Sequence, residues 1–116
     1  MLLQLKTASL ENRLVEICAF VGRKDGGFVV HFVRNNHAKP SEFFEISPLD
    51  YLKFKKEHEL VALFHSHVRG DSSATDFDKL QSMNLALPFL IYSISEDKFS
   101  IFSPENCKPL TLEELQ

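Results

Sequence analysis

Hydrophobic residues occur along the chain in short runs. These runs are separated by stretches that are polar or contain Gly or Pro. Five such runs are rich in β-branched and aromatic residues and predict β-strands. They cover about residues 15–22, 28–33, 60–65, 88–94 and 98–102. The turn-forming sequence Asp25-Gly26-Gly27 joins the first two runs, which favours a β-hairpin.

Apolar residues at helical spacing predict helices between these strands. Pro48 stands just inside an amphipathic segment over about 48–58, as is typical of a helix start. A polar loop leads to a second predicted helix over about 76–86, and Ser9 is predicted as the N-cap of a short helix over 9–14. The pattern indicates an α/β or α+β domain whose sheet is flanked by two or three helices.

Composition narrows the class of protein. With 116 residues, 44% of them apolar and 25% charged, the chain fits one globular domain. A net charge of -3 gives no electrostatic reason to expect a nucleic-acid partner. No apolar run approaches the roughly 18 residues of a membrane helix, and the first residues lack a signal-peptide pattern.

The two cysteines, Cys18 and Cys107, allow at most one disulfide bond, which favours a reducing compartment. We therefore expect a soluble, cytoplasmic protein that has no membrane partner. Cys18 is expected to be a small buried residue rather than a reactive thiol.

The segment His65-Ser66-His67 ends an apolar predicted strand. Side chains alternate along a strand, so both imidazoles face the same way and Ser66 faces the other. Zinc binds imidazole nitrogen and carboxylate oxygen, and a catalytic zinc uses three protein ligands. A His-x-His pair alone is common by chance, so metal-binding and purely structural histidines both remain open. The acids that could complete a metal site are Asp71, Asp76 and Asp78.

Together with an upstream glutamate, this segment resembles the signature of the JAMM/MPN metalloproteases. That signature is a Glu, then His-Ser/Thr-His, seven residues, Ser, two residues and Asp. The matching positions are Glu16, His65-Ser66-His67, the seven residues 68–74, Thr75 and Asp78.

The resemblance covers about residues 12–102 and is to the prokaryotic branch of the family. That branch includes stand-alone bacterial peptidases and the peptidase domain of phage tail assembly proteins. The further segments that carry the resemblance are Phe43–Tyr51, Leu60–His67 and Leu87–Ile91.

The sequence departs from the signature at two positions, and the second departure leaves the third metal ligand open. Val68 stands where the family has Pro, and Thr75 stands where it has Ser. A second alignment uses Ser73 and Asp76 with a loop two residues shorter, and Asp76 would share a helix face with Leu80 that we expect to point at the sheet. We favour Asp78, because shortening a loop between two ligands is harder than replacing Ser by Thr.

The resemblance implies the fold and the chemistry. The fold would be α/β: a single MPN-like domain over residues 1–116, with a curved mixed sheet, two or three flanking helices and a tail from about 104. Zinc (Zn²⁺) would be held by His65, His67 and Asp78, with Asp76 as the alternative. Glu16 would act as general acid and base toward a metal-activated water. Thr75 or Ser73 would hydrogen-bond the oxyanion or order the site.

The implied reaction is hydrolysis of a peptide or isopeptide bond. The resemblance implies a protein substrate, the C-terminus of a ubiquitin-like protein or its conjugate. Two alternatives stay open: a phage tail assembly peptidase, and a catalytically inactive MPN scaffold that only binds partners. Without the resemblance, Glu16 is most simply a surface residue of a strand.

Overall fold

A five-stranded mixed sheet in the order β2-β1-β3-β4-β5 organises the chain. The computed structural model describes residues 1–105 and 109–115, so Cys107 lies outside the described residues. The elements in chain order are α1 (Leu2–Glu11), β1 (Cys18–Lys24), β2 (Gly27–Val33), α2 (Pro48–Glu57), β3 (Glu59–His67), α3 (Asp76–Leu85), β4 (Phe89–Ser93), β5 (Lys98–Phe102) and α4 (Leu112–Leu115).

The connections between the strands explain why the sheet is mixed. The strand pairs β1–β2, β1–β3 and β4–β5 are antiparallel, whereas β3 and β4 are parallel and are joined through α3. The predicted β1–β2 hairpin is confirmed: Asp25 and Gly26 have positive φ angles of 51° and 81°, which tight hairpin turns need.

Both faces of the sheet are buried. The helices α1 and α4 cover one face, where Leu5 and Leu115 pack against Phe64 and Tyr92. The other face is covered by α2, by part of α3 and by the loop between β2 and α2, with Phe44 and neighbouring aromatic rings in its core. Two buried faces explain why the strands have nearly continuous apolar sequences.

The strand and helix predictions agree with the structure except near the N-terminus and in the tail. β1 begins at Cys18 rather than at residue 15. Ser9 is not an N-cap, because α1 already begins at Leu2 and buries Leu5 fully in the core. Inside the helix, the Ser9 hydroxyl donates to the Leu5 carbonyl at 2.8 Å, a local bond that satisfies the buried polar group.

The expected two or three helices are corrected to four in the described ranges. The additional helix, α4, is a single turn in the predicted tail, and its Leu115 is buried against the core. The fold class is α/β in a single domain, as expected. Within the described chain, no helix is long and apolar enough to cross a membrane.

Candidate metal centre

The C-terminal end of β3 carries two buried imidazoles on one face of the sheet. His65 and His67 are almost fully enclosed, and their ring centroids lie 5.2 Å apart. Both side chains point to the face that α3 approaches, whereas Ser66 points to the other. The alternation expected from the His-x-His spacing is therefore present.

Asp78 brings α3 to these imidazoles. Its Oδ1 lies 3.0 Å from Nε2 of His65, and its Oδ2 lies 2.9 Å from Nε2 of His67. One carboxylate thus contacts the same nitrogen of both rings, and the Asp78 side chain is only 3% exposed.

A capping box at the start of α3 positions this carboxylate. The Thr75 backbone N–H donates to Oδ2 of Asp78 at 3.0 Å, and the Asp78 backbone N–H donates to Oγ1 of Thr75 at 3.1 Å. This reciprocal pair is a favoured way to begin a helix. The N-cap residue and the side chain that meets the histidines therefore belong to one local motif.

Two aromatic rings pack against the imidazole of His65. Its ring stacks on Phe44 with centroids 4.5 Å apart, and Phe89 packs edge-on at 5.4 Å. Among the described residues, neither ring nitrogen has a directed hydrogen bond, although Nε2 is close to Asp78 in distance. Buried polar atoms are normally paired. A cation between Nε2 of His65 and the Asp78 carboxylate would provide a partner for Nε2.

His67 is oriented by a hydrogen bond on the far side of its ring. Its Nδ1 lies 2.8 Å from the carbonyl oxygen of Asp71, and because a carbonyl can only accept, Nδ1 is the donor. A backbone carbonyl commonly fixes the tautomer of a metal-binding histidine in this way. The lone pair of the neutral ring then belongs to Nε2, the nitrogen that faces Asp78.

Glu16 is buried next to the same two rings rather than exposed on a strand. Single ligand atoms of Glu16, His65 and His67 lie within 4.8 Å of one another. Glu16 lies two residues before β1, and its backbone N–H donates to the Pro40 carbonyl at 2.7 Å. The next N–H, of Ile17, donates to the hydroxyl of Ser66 at 2.9 Å.

The two buried carboxyl groups differ in their pKa. The pKa of Glu16 is raised to about 8, chiefly by burial; His67 opposes the shift, and the nearby Asp78 carboxylate adds to it. Burial also acts to raise the pKa of Asp78, but its contacts with both imidazoles outweigh burial and hold that pKa well below its usual range. Paired carboxyls with separated pKa values are typical of sites where one group is a fixed anion and the other moves protons.

The structure does not bring every candidate residue to this centre. Asp76 and Ser73 are exposed, and Ser73 is turned toward Asp71, to which both its hydroxyl and its backbone N–H donate. The helix face expected to aim Asp76 at the sheet points outward instead, since Leu80 is 56% exposed. The face of α3 that is buried runs through Asp78 and Ser82, four residues apart.

Burial of Cys18 is as expected, and burial raises the pKa of its thiol, which makes the thiol unreactive.

Sequence reasoning missed Asn35, whose side chain hydrogen-bonds the backbone of Glu16. It lies in a stretch that the sequence indicates only as a polar loop, so the pattern held no signal for it.

The donor set fits zinc. Two imidazole nitrogens and a carboxylate oxygen are ligands that zinc uses in catalytic sites, where a fourth position is left for water or substrate. The structural observation that supports this fit is Nε2 of His65, a buried nitrogen that has no directed hydrogen bond. The buried group of Glu16, His65 and His67 is likewise able to hold a metal ion.

Comparisons with known proteins find similarity both in sequence and in fold. No family model matches the chain. It is 32% identical over 95 residues to the Tail tip assembly protein K of Escherichia phage N15, a match that covers 82% of this chain but 39% of that protein. The solution structure of protein DSY2949 from Desulfitobacterium hafniense superposes with a TM-score of 0.73 at 19% identity, over 94% of this chain and 84% of that one. The chain is therefore similar in sequence to part of a phage tail tip assembly protein, and it shares the fold of the Desulfitobacterium protein.

Proposed function

We propose that this domain is a zinc-dependent peptidase of the JAMM/MPN type that acts in phage tail assembly. One observation carries the proposal: a single buried carboxylate, Asp78, contacts Nε2 of both His65 and His67 at 3.0 Å or less. A second buried carboxyl, Glu16, lies beside the same rings with its pKa raised to about 8, chiefly by burial. Together they provide ligands and a proton carrier in one place.

The residues that would hold zinc are His65, His67 and Asp78. When bound, zinc supplies Lewis-acid chemistry that polarises a peptide carbonyl and acidifies water. Asp78 stays ionised, because its contacts with both imidazoles hold its pKa low. Thr75 orders the site by capping the backbone N–H of Asp78. We assign no role to Ser73, because its hydroxyl is bonded to Asp71.

Glu16 would move the proton in this reaction. A neighbouring cation favours the ionised form of a carboxyl, so the metal-loaded site would present Glu16 as a carboxylate at neutral pH. It would accept a proton from the attacking water and deliver it to the nitrogen of the leaving amine as the C–N bond breaks. Burial of Glu16 keeps bulk water from competing for that proton.

The similarity to a tail tip assembly protein favours a phage tail protein as substrate over a ubiquitin-like one. The match covers most of this chain, and the same chemistry would cleave a peptide or an isopeptide bond. The chain spans only 39% of the length of that relative. A role in tail assembly for this chain is therefore proposed and is not carried over from the longer protein. A catalytically inactive scaffold is disfavoured by the joint presence of the imidazoles, Asp78 and a buried Glu16.

The test is cleavage of defined probes by the zinc-loaded protein. A proteome-derived peptide library is the first probe, purified phage tail proteins are the second, and a linear ubiquitin fusion is the third. We expect cleavage to create new N-termini in the first two probes. A chelator should abolish this cleavage and added zinc should restore it, whereas Glu16→Gln should cleave neither probe. Cleavage that survives both chelation and Glu16→Gln would contradict the proposal, as would three uncleaved probes. Cleavage of the ubiquitin fusion alone would move the substrate to the ubiquitin-like class.

A further inference from the structure

The side chain of Asn35 ties together two parts of the candidate metal centre. It follows β2 and is half-buried. Its Nδ2 donates to the carbonyl oxygens of Glu16 and Phe43, both at 2.9 Å, and lies 3.4 Å from that of Pro40. Its Oδ1 accepts from two backbone N–H groups at 3.0 Å, those of His37 and Glu45.

These partners determine which way the amide points. The nitrogen faces three carbonyl oxygens, which can only accept, and the oxygen faces two N–H groups, which can only donate. Asparagine has both kinds of atom on one planar group. An aspartate of the same shape keeps the acceptor but places an oxygen against the three carbonyls.

The Glu16 backbone depends on such bonds because it lies outside the strand. β1 begins two residues later, so strand pairing does not fix the Glu16 carbonyl. Asn35 holds this carbonyl, Pro40 accepts from the Glu16 N–H, and Ser66 accepts from the next N–H. The same amide also binds the residues on either side of Phe44, whose ring stacks on His65.

We propose that Asn35 is a positioning residue that acts through Glu16, by locking the backbone from which the Glu16 carboxyl reaches the two imidazoles. This inference rests on the proposed peptidase function. Asn35 supplies no metal ligand, since His65, His67 and Asp78 come from β3 and α3. Its loss therefore leaves zinc binding intact while the proton carrier is misplaced. Misplacing a catalytic group by about 1 Å costs roughly 100-fold in rate.

The test compares Asn35→Asp with Asn36→Asp. The control makes the same chemical change one position later, at an exposed side chain. For Asn35→Asp we expect a full equivalent of zinc, about a 100-fold lower kcat, and faster hydrogen exchange at the Glu16 amide. We expect Asn36→Asp to behave as the wild type in all three measurements.

A double variant separates positioning from general damage to the fold. If Asn35 acts through Glu16, adding Asn35→Asp to Glu16→Gln lowers the residual turnover no further. Two results would overturn the inference while leaving the peptidase proposal standing. One is that Asn35→Asp lowers turnover by the same factor in Glu16→Gln as in the wild type; the other is a wild-type kcat in Asn35→Asp. A zinc-loaded wild type that cleaves no probe would overturn both.

Discussion

Glu16 and Asp78 are two buried carboxyl groups beside one pair of imidazoles, and their pKa values move in opposite directions. Burial dominates at Glu16 and raises its pKa to about 8. At Asp78 the direct contacts with His65 and His67 outweigh burial and lower the pKa. The difference comes from contact geometry: Asp78 touches both rings, whereas the Glu16 carboxyl is near them without a bond to either among the described contacts.

Replacing Asp78 by Asn should weaken zinc binding far more than replacing Asp76 by Asn. The Asp78 carboxylate contacts both imidazoles, whereas Asp76 is exposed two residues earlier. Outer-shell changes already cost about 10–100-fold in metal affinity, so we expect at least that loss for Asp78→Asn. Competition titration with a chromophoric chelator measures it. Equal affinities of the two variants would contradict the assignment of Asp78.

Glu16→Gln should bind a full equivalent of zinc and lose turnover by about 10²–10⁴-fold, the usual contribution of general acid–base catalysis. The amide keeps the size of the side chain but cannot carry the proton. Glu42→Gln is the matched control, because Glu42 is exposed. Metal analysis and peptide cleavage on the same samples provide the measurement. Wild-type turnover in Glu16→Gln would remove Glu16 from the mechanism.

The stability of the metal-free protein should depend on pH through Glu16. Its pKa is about 8 in the folded chain against 4.5 for the ordinary group, so the folded state binds more protons between these values. The contribution of Glu16 to the free energy of unfolding therefore falls as pH rises from about 4.5 to about 8. Urea denaturation across this range should show a steeper fall for the wild type than for Glu16→Gln. Parallel pH profiles would contradict the raised pKa.

Ser66→Ala should destabilise the fold by about 1 kcal/mol, the usual net contribution of one hydrogen bond. The fully buried Ser66 hydroxyl accepts from the Ile17 N–H at 2.9 Å, next to Glu16. Ser41→Ala, at an exposed position, should change little. Chemical denaturation of both metal-free variants is the measurement. A loss no greater than that of Ser41→Ala would show that the bond contributes little to stability.

Much of the fold could be predicted because local pattern and tertiary packing agree in most elements. The β1–β2 hairpin, α2, and the loop into α3 are each encoded by nearby residues, such as Pro48 at the start of α2. The sequence pattern places α1 too far along the chain, because the packing of Leu5 in the core overrides the capping preference of Ser9. α4 was missed as a helix because it is a single turn whose position depends on burial of Leu115.

The candidate site can be predicted from the sequence where its residues are close neighbours along the chain. The His-x-His spacing alone places both imidazoles on one face, and the structure puts Asp78 beside them. Burial of Glu16 and the role of Asn35 depend on the loop that contains Pro40 and Phe44. That loop has no periodic pattern, so its path over the sheet could not be derived from local sequence.

The location of zinc in a crystal of the zinc-loaded protein tests the central claim most directly. Anomalous scattering at the zinc edge identifies the ion without reference to activity. We predict one peak within about 2 Å of a nitrogen of His65, a nitrogen of His67 and an oxygen of Asp78, with the Glu16 carboxyl beside it and outside the coordination sphere. No peak at these residues, or zinc bound only elsewhere on the chain, would contradict the account.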